Sequence, residues 1–266
     1  MSLSNVTGGI GDRRKDKEIV VCRDRDDLGR QAAALFVQAV IEAIAARGRF
    51  SVALSGGATP RALYSALAGP PFAEKIPWEG VHLFWGDERA VPPDHPDSNY
   101  KMAYEALIAH VPIPPRNVHR MPAERSDLQT AAKEYEKSLR DFFRPPQGEI
   151  PSFDLILLGI GSDGHVASLF PGSEALNEQQ RWVIAVYVAH LKSSRLTLTL
   201  PVLNRARQIF FLAAGREKAE IIRGLLSENA SRSDLPARQV RPESGRLIFF
   251  LDKEAAGLLV QDRKGL

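Results

Sequence analysis

The stretch FDLILLGIGSDGHVASLFPG, Phe153–Gly172, joins an apolar run to a turn that carries Gly159, Gly161 and Gly164 in G-x-G-x-x-G spacing. An apolar run without polar alternation reads as a strand covered on both faces, as in a parallel sheet. The glycines raise the question of a dinucleotide site. That reading needs an acidic residue about 20 positions on, at the end of the next strand, to hold the ribose hydroxyls. The sequence there is QQRWVIAVYV, and Glu178 precedes it. Asp163 would also set a negative charge against a pyrophosphate. The dinucleotide reading fails on both counts. What remains is Asp163 and His165 on a glycine-permitted turn, where the strand is expected to give way to a helix whose first N–H groups favour an anion. Two readings stay open: acid/base chemistry, or Asp163 as a plain helix cap with His165 on the surface.

Outward from this stretch the chain alternates strands and helices. EIVVC is a β-branched run, followed by Leu28, Ala32, Leu35, Phe36, Ala39, Val40, Ala43 and Ile44 at helical spacing, closed by Gly48. FSVAL and VHLFWG read as strands, NYKMAYEALIAHV and DLQTAAKEYEKSLRDFF as helices. WVIAVYV, RLTLTL and QIFFLAA are further strands, EKAEIIRGLL a helix and RLIFFLD a last strand. The pattern predicts an open, mostly parallel, doubly wound α/β sheet with helices on both faces. Residues 1–17 read as a disordered polar tail and 18–266 as a single α/β domain, with no internal repeat or flexible boundary.

Ligands in such sheets bind at the carboxyl ends of the strands. Two more loops are expected there. Ser55, Gly56, Gly57, Ala58, Thr59 and Pro60 combine two glycines, two hydroxyls and a helix start, which suits a monophosphate; without a following G-K-[ST] it is not a nucleoside triphosphate loop. A plain strand-to-helix turn is the alternative. The other loop places Asp87, Glu88 and Arg89 directly after an apolar strand, with Asn99 and Tyr100 after a proline-rich excursion. Charges at a strand end point to a site. Glu88 also reads as a surface charge, and Trp85 as sheet core.

Composition limits what such a site can serve. The 266 residues are 44% hydrophobic and 25% charged, an ordinary globular balance that excludes disorder throughout. With 35 basic against 32 acidic residues the formal charge is +3, too small to argue for nucleic acid and compatible with a small anionic substrate. One cysteine, Cys22, and six scattered histidines offer neither a disulfide nor metal-ligand spacing. No apolar run comes near the roughly 20 residues that span a bilayer, and the start lacks the core of a signal peptide, so a cytoplasmic location without membrane contact is expected.

The segments LSGGATPRALYSAL, FWGDERAVPPDHPDSNY and LLGIGSDGHVASLFPGS, with RLTLTLPVLN and GREKAEI, resemble those of the glucosamine-6-phosphate isomerase/6-phosphogluconolactonase family, and of its lactonases in particular. They run in order from Leu54 to Ile221. The resemblance implies the fold shared by glucosamine-6-phosphate deaminase and ribose-5-phosphate isomerase. It implies hydrolysis of 6-phosphoglucono-δ-lactone with no metal or organic cofactor and no obligate protein partner. Carried over by position, His165 is the general base and Asp163 its partner. Ser55, Gly56, Gly57 and Thr59 form a phosphate contact with Arg195 and Lys218, while Asp87 and Arg89 line the sugar side. Ala58 stands where the family often has Ser, and HLKSS before Arg195 lacks a nearby proline.

Two rival readings are an enzyme of the same superfamily and a binding protein of another functional class. An aminosugar-phosphate deaminase/isomerase would need an acidic group beyond the Asp-Gly-His turn, where VASLFPGS has none before Glu174. A non-catalytic sugar-phosphate-binding protein acting as a regulator would need a DNA-binding unit, for which the expected tail is too short.

Overall fold

A computed structural model describes residues 12–14, 17–227 and 235–261. The described strands are β1 (Asp12–Arg14), β2 (Lys17–Cys22), β3 (Phe50–Leu54), β4 (Val81–Trp85), β5 (Asp87–Arg89), β6 (Leu155–Gly159), β7 (Val183–Val188), β8 (Ser193–Leu198), β9 (Gln208–Ala213) and β10 (Arg246–Asp252). The helices are α1 (Arg25–Arg47), α2 (Ala58–Leu67), α3 (Asn99–Ala106), α4 (Leu128–Phe143), α5 (Leu200–Asn204), α6 (Ala219–Leu226), α7 (Pro236–Gln239) and α8 (Gly257–Gln261). The expected polar tail lies outside the described residues, except for Asp12–Arg14, which pair antiparallel with β2, and Lys17, where β2 begins.

Seven strands form one sheet in the order β1-β2-β10-β9-β6-β3-β4. Every pair in it is parallel except β1 with β2. Both faces are covered, and the register shows how. Phe50 pairs with Val81 and Ala53 with Phe84, so Phe50 and Phe84 point to opposite faces. Phe50 meets Phe36 of α1 edge-on at 5.3 Å, while Phe84 packs against Phe142 at the end of α4 at 5.0 Å. That double coverage is why β3 is buried at all five positions.

Three findings correct the sequence reading. First, α1 is long and apolar enough to cross a membrane by length and composition; here half of that stretch is buried within the fold. Its many alanines raise the apolarity without an unbroken run, and Leu28, Ala32, Phe36 and Val40 are fully buried. Second, β7 and β8 do not join the large sheet but form a three-stranded antiparallel sheet with β5, a segment that reads in sequence as a loop. Three charged residues carry no strand signal; cross-strand pairing with β8 supplies it. Third, no helix follows His165. Gly161 N–H donates to the His165 carbonyl (2.9 Å), and Val166 and Leu169 exchange backbone hydrogen bonds in a tight turn. Pro171 arrives too soon for a helix to continue.

From β3 the chain proceeds to β4 on one side, whereas β6 leads to β9 on the other. The reversal between β3 and β6 opens a crevice at their carboxyl ends. Two buried tyrosines fix the ends of β3 and β4, from which its loops depart. Ser55 N–H donates to Tyr64 Oη (2.9 Å), and Tyr64 O–H donates to the Ser55 carbonyl (2.8 Å). Tyr135 does the same for Trp85, at 2.8 and 3.2 Å. Each hydroxyl thus satisfies both backbone groups of a residue where a strand runs out. Replacing either tyrosine by Phe leaves a buried N–H and C=O without that partner. Tyr64→Phe and Tyr135→Phe are each expected to lower unfolding free energy by about 1–3 kcal/mol, read from the urea midpoint at unchanged slope. Midpoints equal to that of the parent protein would show that the strand ends do not depend on these hydroxyls.

Candidate active site

Loops from β3, β4, β6 and β9 surround a crevice of about 350 Å³. Nine of the ten residues expected from sequence line it. Ser55, Gly56 and Gly57 come from the turn between β3 and α2 and Thr59 from the first turn of α2; Asp87 and Arg89 lie on β5 and Arg195 on β8; His165 follows β6 and Lys218 follows β9. Asp163, the tenth, stands behind His165. A larger groove of about 730 Å³ runs past Phe170 and Tyr187 and contains none of these groups.

His165 is held on three sides. Its Nδ1 is 2.6 Å from Asp163 Oδ1, the same oxygen accepts the His165 backbone N–H at 3.1 Å, and Phe170 stacks on the ring at 4.2 Å. A carboxylate only accepts, so Nδ1 carries the proton and Nε2 keeps its lone pair. Partial burial pushes the Asp163 carboxyl up, but the His165 N–H and the imidazole outweigh it, and Asp163 titrates below its ordinary range. It therefore stays ionised at neutral pH. The glycine fingerprint has its explanation here: a Cβ on Gly161 would collide with His165 Nδ1 and with Asp163. The backbone must be bare for this pair to fold against it.

β5 alternates as a strand should. Asp87 and Arg89 line the crevice, while Glu88 points away. Asp87 Oδ2 accepts from Ser168 Oγ (2.7 Å), and Asn99 Nδ2 donates to the Asp87 carbonyl (2.9 Å). Gly56 must lack a side chain because Asn99 occupies that space. Glu88 is not the surface charge that its neighbours in sequence suggest. It is 3% exposed and accepts the N–H groups of Arg89, Asn99 and Tyr100 at 2.7–2.8 Å, and Ser98 Oγ at 3.1 Å. Two of those N–H groups open α3, where helix geometry leaves them without partners. Burial nevertheless dominates and raises the Glu88 carboxyl above its ordinary value. Trp85 is fully buried, as expected of sheet core.

The antiparallel pairing of β5 with β8 sets Arg89 directly opposite Arg195. Like charges in such a pair repel. Burial pulls the Arg195 pKa down and Arg89 adds to that, with Asp87 acting against them. The buried Nε of each arginine has no protein acceptor. An anionic oxygen between them would supply one and relieve the repulsion. Lys218 comes from a different wall, in a turn anchored where Gly215 N–H donates to both Asp252 oxygens (3.1 and 3.0 Å). Next to it, the start of α2 presents N–H groups that have no intrahelical acceptor.

Arg25, Asn99 and Glu217 also line the crevice and were not assigned roles from the sequence. Arg25 follows β2, whose carboxyl end lies on the same edge of the sheet as the other loops. That rule could have found it. Asn99 stands in the loop singled out from sequence, but its role in holding Asp87 shows only in their contact. Glu217 carries no sequence signal beyond its charge.

Known proteins match this arrangement. A family model described as glucosamine-6-phosphate isomerases/6-phosphogluconolactonase matches residues 23–249. The 6-phosphogluconolactonase of Synechocystis is 42% identical over 239 residues, covering 90% of this chain and 96% of the relative. The solved 6-phosphogluconolactonase of Trypanosoma brucei is 32% identical with a TM-score of 0.80, covering 91% of this chain and 98% of that one. A monomeric glucosamine-6-phosphate deaminase has a TM-score of 0.73 at 23% identity, a likeness of fold, covering 90% and 99% of the two chains.

Because Gly161 makes room for the imidazole, Gly161→Ala should separate His165 from Asp163 while leaving the sheet intact. The low-field Nδ1 proton resonance of His165 is expected to vanish in that variant. It should persist in Gly159→Ala, where a methyl finds Ser55 Oγ no nearer than 3.8 Å. An unchanged resonance in Gly161→Ala would contradict the steric argument.

Proposed function

The chain belongs to the glucosamine-6-phosphate isomerase/6-phosphogluconolactonase family, and we propose that it hydrolyses 6-phosphoglucono-δ-lactone to 6-phosphogluconate, a step of the oxidative pentose phosphate pathway. The observation that carries this reading is the His165–Asp163 pair, set in a crevice whose walls supply Arg89, Arg195, Lys218 and Arg25. A lactone needs a water deprotonated near neutral pH, and its phosphate needs a cationic handle away from the carbonyl. Both requirements meet in this crevice.

With Nδ1–H donated to Asp163, His165 Nε2 takes a proton from water as the oxygen attacks C1. The carbonyl becomes a tetrahedral oxyanion, and its collapse breaks the bond to the ring oxygen, which takes the proton held at His165 Nε2 and becomes the C5 hydroxyl, while the acid formed at C1 gives up its remaining proton to solvent as the carboxylate. General-base help of this kind contributes about 10² to 10⁴ in rate. Asp163 fixes the tautomer and favours the imidazolium that forms. Lys218, Arg195 and the Ser55, Gly56, Gly57 and Thr59 turn hold the phosphate, so that remote binding energy places the carbonyl at the attacking water. Asp87 and Arg89 face the sugar, Asp87 kept in position by Ser168 and Asn99. An aminosugar-phosphate deaminase has less support, since the residues after the Asp-Gly-His turn carry no carboxylate before Glu174. A cytoplasmic location belongs to the same reading; it is supported by a lone, buried Cys22 whose thiol burial pushes up to about 12, too high for redox work at neutral pH.

His165→Asn should keep the fold and the affinity for 6-phosphogluconate while reducing kcat by about 10² or more, after subtraction of spontaneous lactone opening. A folded variant that turns over at nearly the parent rate would remove His165 from the mechanism. Lys218→Ala should act mainly on KM, at a cost of about 1.5–3 kcal/mol in binding. Unchanged affinity for 6-phosphogluconate would reject the phosphate role.

A further inference from the structure

The amino-terminal ends of β3, β6 and β9 meet at the edge of the sheet opposite the catalytic crevice. There Arg47, Arg49, Arg144, Arg205 and Arg207 line a second cleft, of about 360 Å³. Only two carboxylates share its wall, Asp154 and Glu149. Asp154 is already committed. Its Oδ1 accepts from Arg47 Nε (3.1 Å) and Nη2 (2.7 Å) and lies 3.6 Å from Arg207 Nε; its Oδ2 accepts Ser51 N–H (2.8 Å) and Oγ–H (2.9 Å). Arg205 pairs with Glu243 outside the cleft at 2.7 Å.

Arg49 and Arg144 have no carboxylate partner among the described residues. The Arg49 guanidinium lies over the Phe142 ring at 4.3 Å, and Arg144 Nε donates to the Asp141 carbonyl at 3.2 Å. Arg47 and Arg144 stand at the carboxyl ends of α1 and α4, where the helix dipole steadies a cation. Arg205 caps the short α5 in the same way, whereas Arg49 and Arg207 have no such support. A stacked guanidinium keeps its N–H edge free, and its fork matches phosphate oxygens two at a time.

We infer that this cleft is a second anion site, which takes a phosphorylated small molecule carrying two or more negative charges. Its volume is close to that of the catalytic crevice, about 350 Å³. Its arginines come from separate segments of the chain, and Pro145, Pro146 and Pro151 stiffen the wall. A concave, confined shape of this size suits a small ester better than a polynucleotide, as does a formal charge of only +3 over the chain.

The test uses the full chain, inorganic pyrophosphate as probe, and arginine side-chain ¹H–¹⁵N spectra together with calorimetry. The Nε–H signals of Arg49 and Arg144 should shift and saturate. Arg144→Glu, a change at an exposed side chain, should weaken this binding about tenfold or more without altering lactone hydrolysis. Arg49→Gln should act in the same direction, and Lys218→Ala should leave the Arg49 and Arg144 shifts intact. The inference is overturned if neither signal moves at pyrophosphate concentrations that inhibit catalysis, or if both arginine variants bind as the parent does. Duplex DNA binding more tightly than pyrophosphate at the same salt, and lost in the same variants, would overturn the small-molecule class and assign this face to nucleic acid.

Discussion

A parallel sheet covered on both faces has to dispose of the backbone groups at the ends of its strands, where the ladder stops and water is excluded. In this chain one side chain after another meets that demand. Tyr64 closes Ser55, Tyr135 closes Trp85, Asp252 accepts the N–H of Gly215, and Asn99 donates to the carbonyl of Asp87. Each closure sits at the base of a loop that borders the crevice. The loops are therefore held by the same hydrogen bonds that complete the sheet, and the side chains they carry enter the crevice from anchored backbone. Rigidity of this kind lowers the reorganisation needed when charge develops in a transition state.

The acidic and basic groups divide between supporting the scaffold and facing the crevice. Glu88 and Asp154 are carboxylates placed where backbone N–H groups or a guanidinium satisfy them, at the cost of desolvation. Asp87, although it lines the crevice, is bonded on both oxygens, to Ser168 and Asn99. The cations Arg89, Arg195 and Lys218 carry no carboxylate partner among the described residues, so the crevice presents an excess of positive charge. A phosphorylated substrate is the complementary charge. The neutral ring of a lactone alone would not justify opposing two arginines across β5 and β8.

Much of this was legible in the sequence, and the failures have physical causes. Apolar runs such as LILL and IFFL announced buried strands because covering both faces removes the alternation. The three loops were found because parallel strands place their carboxyl ends on one edge. The small antiparallel sheet was missed in part: β7 and β8 were read as strands, but β5 is three charged residues whose pairing depends on β8 more than a hundred positions later. Glu88 was misjudged because burial of a carboxylate depends on N–H groups that α3 brings from ten or more residues away. The expected helix after His165 rested on the analogy between glycine-rich turns, which says nothing about Pro171.

That analogy fails for a reason of volume. In a dinucleotide fold the glycines of such a turn keep space for a pyrophosphate that arrives from outside. Here the space beside Gly161 is filled by the protein's own His165 ring and the Asp163 carboxylate, close enough that a methyl group would collide with both. The two uses exclude each other, since an imidazole lying against the backbone leaves no room there for a phosphate, and Asp163 would repel one. In the proposed reaction the phosphate goes instead to the other glycine turn, where Gly56 and Gly57 line the crevice and α2 begins. In that proposed reaction, separating the two glycine turns separates the base from the phosphate anchor, as a lactone with a reacting carbon at one end and a phosphate at the other requires.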